Sequence, residues 1–242
     1  MRRWFVAVAA MAAALVVLSA AGWWFLIRED AQLATNAPDI PDDLVQATAT
    51  PAEDATGAAQ TADALTFRIN PELSEAAYFV DEQLASVGLP STAKGVTNEI
   101  EGEFSLTFDG TAIAPTGTSQ FTVDLRNLTS DKPMRDRRVQ EALATSRFPT
   151  ATFTISTVTG YDSSIADGEE QSLQLTGTLD LHGIQRDVTW DVKARREGNI
   201  VSALATLVVP FDDFDITPPT FAQLVSISDE ATLQVQLIAE AL

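Results

Sequence analysis

The chain has 242 residues, a formal net charge of −19 and a pI near 4.2. Such an acidic chain lacks the basic stripe that displaces counterions from a phosphate backbone, so no nucleic-acid partner is expected. It has no cysteine and one histidine, His182, which excludes disulfides, thiolate chemistry, iron–sulfur clusters and metal sites rich in Cys or His.

Arg2 and Arg3 precede an uncharged run over residues 4–27. As a helix rising about 1.5 Å per residue, that run can cross a hydrocarbon core of roughly 30 Å. Trp23 and Trp24 sit near its far end, where indoles favour the membrane interface, and the basic pair keeps the N-terminus cytoplasmic. A cleaved signal peptide is the competing reading, with Ser19-Ala20-Ala21 as the cleavage site. Cleavage there leaves Trp23, Trp24, Phe25, Leu26 and Ile27 on a mature N-terminus, which favours a retained transmembrane helix over residues 1–28. Residues 29–64 are rich in Ala, Thr, Pro and acids and lack Lys and Arg. With no sustained apolar period, they are expected to be a disordered linker holding a folded domain outside the membrane.

From residue 65 the period changes to two. Leu65, Phe67 and Ile69 alternate, then Ala76, Tyr78 and Val80. Phe104, Leu106 and Phe108 lead to an Asp109-Gly110 turn signal, and Phe121, Val123 and Leu125 follow. Residues 132–144 break this pattern. Pro133 near the start, with Met134, Val139 and Leu143 roughly on one side, predicts a short helix with a basic face. Strands resume at Phe153 and Ile155. Residues 177–192 then read as a hairpin, with Leu179 and Leu181 before His182-Gly183 and Val188, Trp190 and Val192 after it. A small-residue strand from Val201 through Ala203, Ala205 and Leu207 to Val209, a Pro-bounded connection and a last strand through Leu233, Val235 and Leu237 complete the chain.

About eight to ten two-faced strands with one inserted helix predict an all-β antiparallel sandwich or barrel. An eight-stranded barrel removes exposed edges and leaves an interior wide enough for one small ligand. Candidate chemistry is sparse. His182 adjoins the turn glycine, where a turn role suits it better than that of a triad base, and no nucleophile-elbow motif is present. Asp212, Asp213 and Asp215 lack the spacing, Gly and Glu of a calcium loop. No enzyme, cofactor or metal site is therefore expected. Arg135, Arg137 and Arg138 form the densest basic cluster. They read either as a solvated helix face with local ion pairs or as a rim for an anionic head group. A packed core and a ligand-lined lumen share one apolar pattern, and periodicity does not separate them.

Taken in order, five stretches resemble the YceI-like family. They are FRINPELSEAAYFV from Phe67, MRDRRVQEALATSRFPTATFTIS from Met134, LDLHGIQRDVTWDV from Leu179, VPFDDFDI from Val209 and SDEATLQVQL from Ser228. The resemblance covers residues 65–242. It implies an extracytoplasmic, lipocalin-like antiparallel β-barrel with a helix over one opening and an isoprenoid or other long apolar lipid in its lumen. On that reading the lining is Tyr78, Val80, Phe104, Leu106, Phe121, Val123, Phe153, Leu179, Leu181, Trp190 and Ala205. The sequence departs from the family at Leu73 and Glu82, near which many members carry histidine. It departs again at Asp213-Phe214-Asp215, where the family has Asp-Phe-Gly.

Overall fold

The computed structural model describes residues 31–48, 64–84, 90–108, 112–219 and 224–242. The expected transmembrane helix lies outside these residues. Among the described residues, no helix is long and apolar enough to cross a membrane.

The described elements are α1 (Asp42–Thr48), β1 (Ala64–Ile69), β2 (Glu75–Leu84), β3 (Pro90–Thr97), β4 (Ile100–Phe108), β5 (Ile113–Asp124), β6 (Thr129–Ser130), α2 (Pro133–Ala142), β7 (Thr150–Thr159), β8 (Gln171–Leu181), β9 (Ile184–Glu197), β10 (Ile200–Pro210), β11 (Leu224–Ile227) and β12 (Glu230–Ala241). Eight antiparallel strands close a ring in the order β1-β4-β5-β7-β8-β9-β10-β12, and the β1–β12 pairing completes it. Of the sandwich or barrel that the alternation allowed, this is the barrel, as the resemblance implied, and α2 is its inserted helix.

The ring divides at β12. Residues 239–241 pair with β1, whereas residues 232–236 pair with β2, which carries β3 and β6 beyond the ring. The divider is the 3-10 turn Pro71–Leu73. Ser74 Oγ donates to Asn70 O at 2.7 Å and accepts from Ile238 N at 3.1 Å, which satisfies backbone freed by the switch. Opposite, β8 and β9 meet at Leu181↔Ile184. His182 and Gly183 both have positive φ, 56° and 76°, as a two-residue hairpin turn matching the strand twist requires.

The end of the barrel away from α2 is packed shut. Phe67 and Phe104 pair across β1 and β4 with rings stacked at 5.3 Å, and Phe104 meets Phe121 edge-on at 6.3 Å. Leu106 packs against the same buried cluster.

Residues 31–48 depart from the disordered linker expected over 29–64. Residues 34–39 lie as an extended strap on the outer face of β9, β10 and β12, and α1 follows. Outward-facing side chains of the barrel seize its backbone. Gln234 both donates to Ala34 O (3.0 Å) and accepts from Ala34 N (2.9 Å), and Ser202 Oγ donates to Pro38 O at 2.5 Å. Composition alone misjudged this segment because its partners are polar side chains on distant strands, which no local apolar period can signal.

Candidate functional site

Inside the upper half of the barrel, under α2, is a cavity of ≈ 210 Å³. Strands β5, β7, β8, β9, β10 and β12 wall it with alternating inward side chains, and α2 roofs it with Val139, Ala142 and Leu143. Pro218, Pro219 and Ile227 stand at its other side. Of the residues expected to line a lumen, Tyr78, Val80, Phe121, Val123, Phe153, Leu179, Leu181, Trp190 and Ala205 are on the wall. Phe104 and Leu106 are not. They share the inward parity but lie lower on β4, in the packed floor, because parity fixes a face and not a height.

The wall is aromatic and aliphatic. Phe153 stacks on Phe121 at 5.8 Å and meets Trp190 edge-on at 5.9 Å. Trp190 is buried, and its Nε1 has no acceptor among the described residues. Small side chains on β10 and β12, including Ala203, Ala205 and Ala231, leave space opposite these rings.

One polar cluster joins the wall to its roof. Glu82, inward on β2, accepts from Arg135 Nη2 at 2.5 Å, and the two side chains are only 5% and 11% exposed. Arg135 Nη1 also binds Asp131. Asp136 Oδ1 accepts from Ser130 N at 2.8 Å and Ser130 Oγ at 2.5 Å, which ties α2 to β6. Ser130 pairs with Gly95 on β3, and the Tyr78 ring lies over that glycine: a Cβ there would stand 2.3 Å from Tyr78 Cε1. Burial pushes the Tyr78 phenol well above its ordinary range; the Arg135 charge opposes this, and the Asp136, Glu82 and Asp131 carboxylates add to it. Burial alone would lower the Arg135 pKa and raise that of Asp131. Attraction to Glu82 first and Asp131 second raises the Arg135 pKa, and Arg135 with Lys132 lowers that of Asp131, so both groups are held in the charged form.

The three arginines of the basic cluster separate. Arg135 turns inward to Glu82. Arg138 reaches the cavity with its Nε unpaired among the described residues, while its Nη1 donates to Glu141 at 2.8 Å. Arg137 is exposed and lies beside Met134 Sδ at 3.1 Å. Met134 is itself 57% exposed, so it does not join Val139 and Leu143 beneath the helix.

The sequence reading missed Glu82 as a cavity residue and noted it only as a departure from histidine. An acid amid the apolar parity of Ala76, Tyr78 and Val80 was the available signal. His182 Nδ1 lies 2.9 Å from Phe214 O, and its ring meets Phe148, so it fastens the hairpin to the chain after β10. Asp215, in place of the family glycine, holds φ at 50°, the left-handed conformation glycine adopts most easily.

The family model of the YceI-like domain matches residues 67–239, and the chain belongs to that family. No curated protein sequence matches it. Among solved structures, the barrel is similar to a domain from Saccharophagus degradans described as polyisoprenoid-binding and implicated in plant cell wall breakdown. The identity is 19% and the TM-score 0.53, with 74% of this chain and 99% of that one covered. It is equally similar to BcnA of Burkholderia cenocepacia, at 19% identity and a TM-score of 0.53, covering 70% of this chain and 98% of that one. At this identity the likeness establishes the fold.

Proposed function

We propose that this protein is a membrane-tethered, extracytoplasmic lipid-binding protein that holds the hydrocarbon chain of a long apolar lipid, an isoprenoid above all, in its barrel. The observation that carries the reading is the cavity beneath α2, walled by Phe121, Phe153, Leu179, Trp190 and Ala205. Burial of a hydrocarbon chain there contributes up to ~0.8 kcal/mol per CH₂ before association costs. Binding requires no covalent chemistry. Arg138 at the cavity and Arg137 outside it supply cations for an anionic head group, and the uncharged run over residues 4–27 keeps the barrel at the bilayer where such lipids reside. The polyisoprenoid binding described for the Saccharophagus degradans domain supports the choice of lipid. Mass spectrometry of lipids extracted from protein purified out of its native membrane tests the reading. A stoichiometric long-chain lipid is expected. Protein that carries none, and takes up none from vesicles, would instead be a filled-barrel interaction module.

A further inference from the structure

The strap over residues 34–39 is held in a way unlike the rest of the surface. The barrel side chains that grip it bind mainly its main chain. Gln234 takes both backbone groups of Ala34, Lys193 Nζ donates to Thr35 O at 2.5 Å, and Ser202 Oγ (2.5 Å) and Arg195 Nη2 (2.8 Å) both donate to Pro38 O. Ala37 N donates to Glu170 Oε2 at 2.8 Å, and Ala37 is buried. Ser202 and Gln234 alternate along β10 and β12 with the inward-facing apolar residues, yet are 0% and 3% exposed. A polar outer face buried under main chain is a built seat, because an uncovered barrel would leave these groups to water.

The strap also has a direction. Pro38 is held at Ser202, and Ala34 at Gln234, which pairs with Thr206. Read backward from Pro38 to Ala34, the strap climbs β10 toward the end that carries α2 and the cavity. Only residues 28–33 separate Ala34 from the end of the uncharged run.

We propose that the seat on β9, β10 and β12 clamps the N-terminal segment so that the tether is six residues long and turns the α2 end of the barrel toward the bilayer. The orientation rests on the anchor reading above; the clamp does not. A flexible leash of 37 residues, as residues 28–64 would supply, has a root-mean-square reach of about 33 Å, whereas six residues reach about 13 Å. Strand length and tilt put the two barrel ends about 25 Å apart. A clamped barrel therefore presents its ends to the membrane unequally, and a leashed one presents them alike.

The chain has no cysteine, so single labels at Asp212→Cys, by the α2 end, and Asn199→Cys, at the opposite end, are unique. Full-length protein in phosphatidylcholine vesicles with acceptor dye on the head groups gives both separations by energy transfer. The expected result is a label at position 212 close to the bilayer and a label at 199 about 25 Å farther. Two changes should abolish that difference. One is Gln234→Ala with Lys193→Ala and Arg195→Ala. The other is a 12-residue Gly-Ser insertion after Asp30, which lengthens a clamped leash from about 13 to about 23 Å but a free one only from about 33 to about 38 Å. Equal separations in the parent, unchanged by the insertion, would overturn the orientation. Amide exchange at Ala34 and Ala37 tests the clamp in the same full-length chain, with or without vesicles. Slow exchange that becomes fast in the triple variant supports it, and fast exchange in the parent overturns it. Failure to float with vesicles would remove the anchor reading and the orientation with it, and leave the clamp to be decided by exchange.

Discussion

At the scale of single residues, the pair Glu82–Arg135 governs the junction between wall and roof. Two charges this deeply placed are costly to separate: loss of Arg135 strands Glu82, whereas loss of Glu82 leaves Arg135 to Asp131 alone. Arg135→Met alone should lower stability by about 3–5 kcal/mol, Glu82→Gln by less because Asp131 still holds Arg135, and the double change Glu82→Leu with Arg135→Met should recover most of the loss. Denaturant midpoints at constant slope read this out. Single variants within about 0.5 kcal/mol of the parent would mean that the pair is solvated. Tyr78, beside the pair, makes a separate claim about pH. Its folded pKa is raised by burial above an unfolded value of about 10. Below that value both states keep the proton and stability does not depend on it. Above it the unfolded chain releases a proton that the folded chain retains, so stability falls as pH rises. Between pH 9 and 11, Tyr78→Phe should therefore gain stability relative to the parent. Parallel pH profiles would contradict the burial of the phenol.

At the scale of elements, Gly177 shows how strands settle against each other. The position carries no side chain and faces the large Phe153 across the strand pair. In the barrel it is filled: a Cβ at Gly177 would lie 2.1 Å from Thr154 O and 2.9 Å from Phe153 Cζ. The β7–β8 register shifts just there, between Ile155 and Thr157. Gly177→Ala should thus cost about 1–3 kcal/mol in chemical denaturation, and an unchanged midpoint would show that β7 yields freely. This residue also marks how far the pattern was legible. Alternation placed Leu179, Leu181, Trp190 and Val192 on the inner face, and the turn at His182-Gly183 followed from its residues. β3 was not read, because PSTAKGVT carries few large apolar side chains and its glycine is covered by Tyr78 from the neighbouring strand. The strap escaped for a similar reason. Its order comes from Gln234, Ser202, Lys193 and Arg195, far along the chain, and nothing within residues 31–48 announces them.

At the scale of the whole molecule, the barrel has two regimes along one axis. Below, Phe67, Phe104 and Leu106 make a packed floor, and above, small side chains on β10 and β12 face a cavity. A packed interior and a ligand site respond oppositely to changes of volume, so one substitution in each half separates them. Phe104→Ala removes a floor side chain only 6% exposed. It should lower stability by about 3–5 kcal/mol and leave lipid stoichiometry unchanged in protein that remains folded. Ala205 pairs with Val192 on one side and Val235 on the other, with the cavity before it. Ala205→Phe should displace bound lipid and change the melting temperature little, because the added ring enters existing space. In a filled barrel the same ring would overfill the interior and cost about 1–3 kcal/mol. Melting temperature and lipid stoichiometry, measured together on both variants, decide the matter. A destabilised Ala205→Phe protein, from a parent in which no lipid is ever detected, would end the carrier reading and leave the barrel as a packed interaction module.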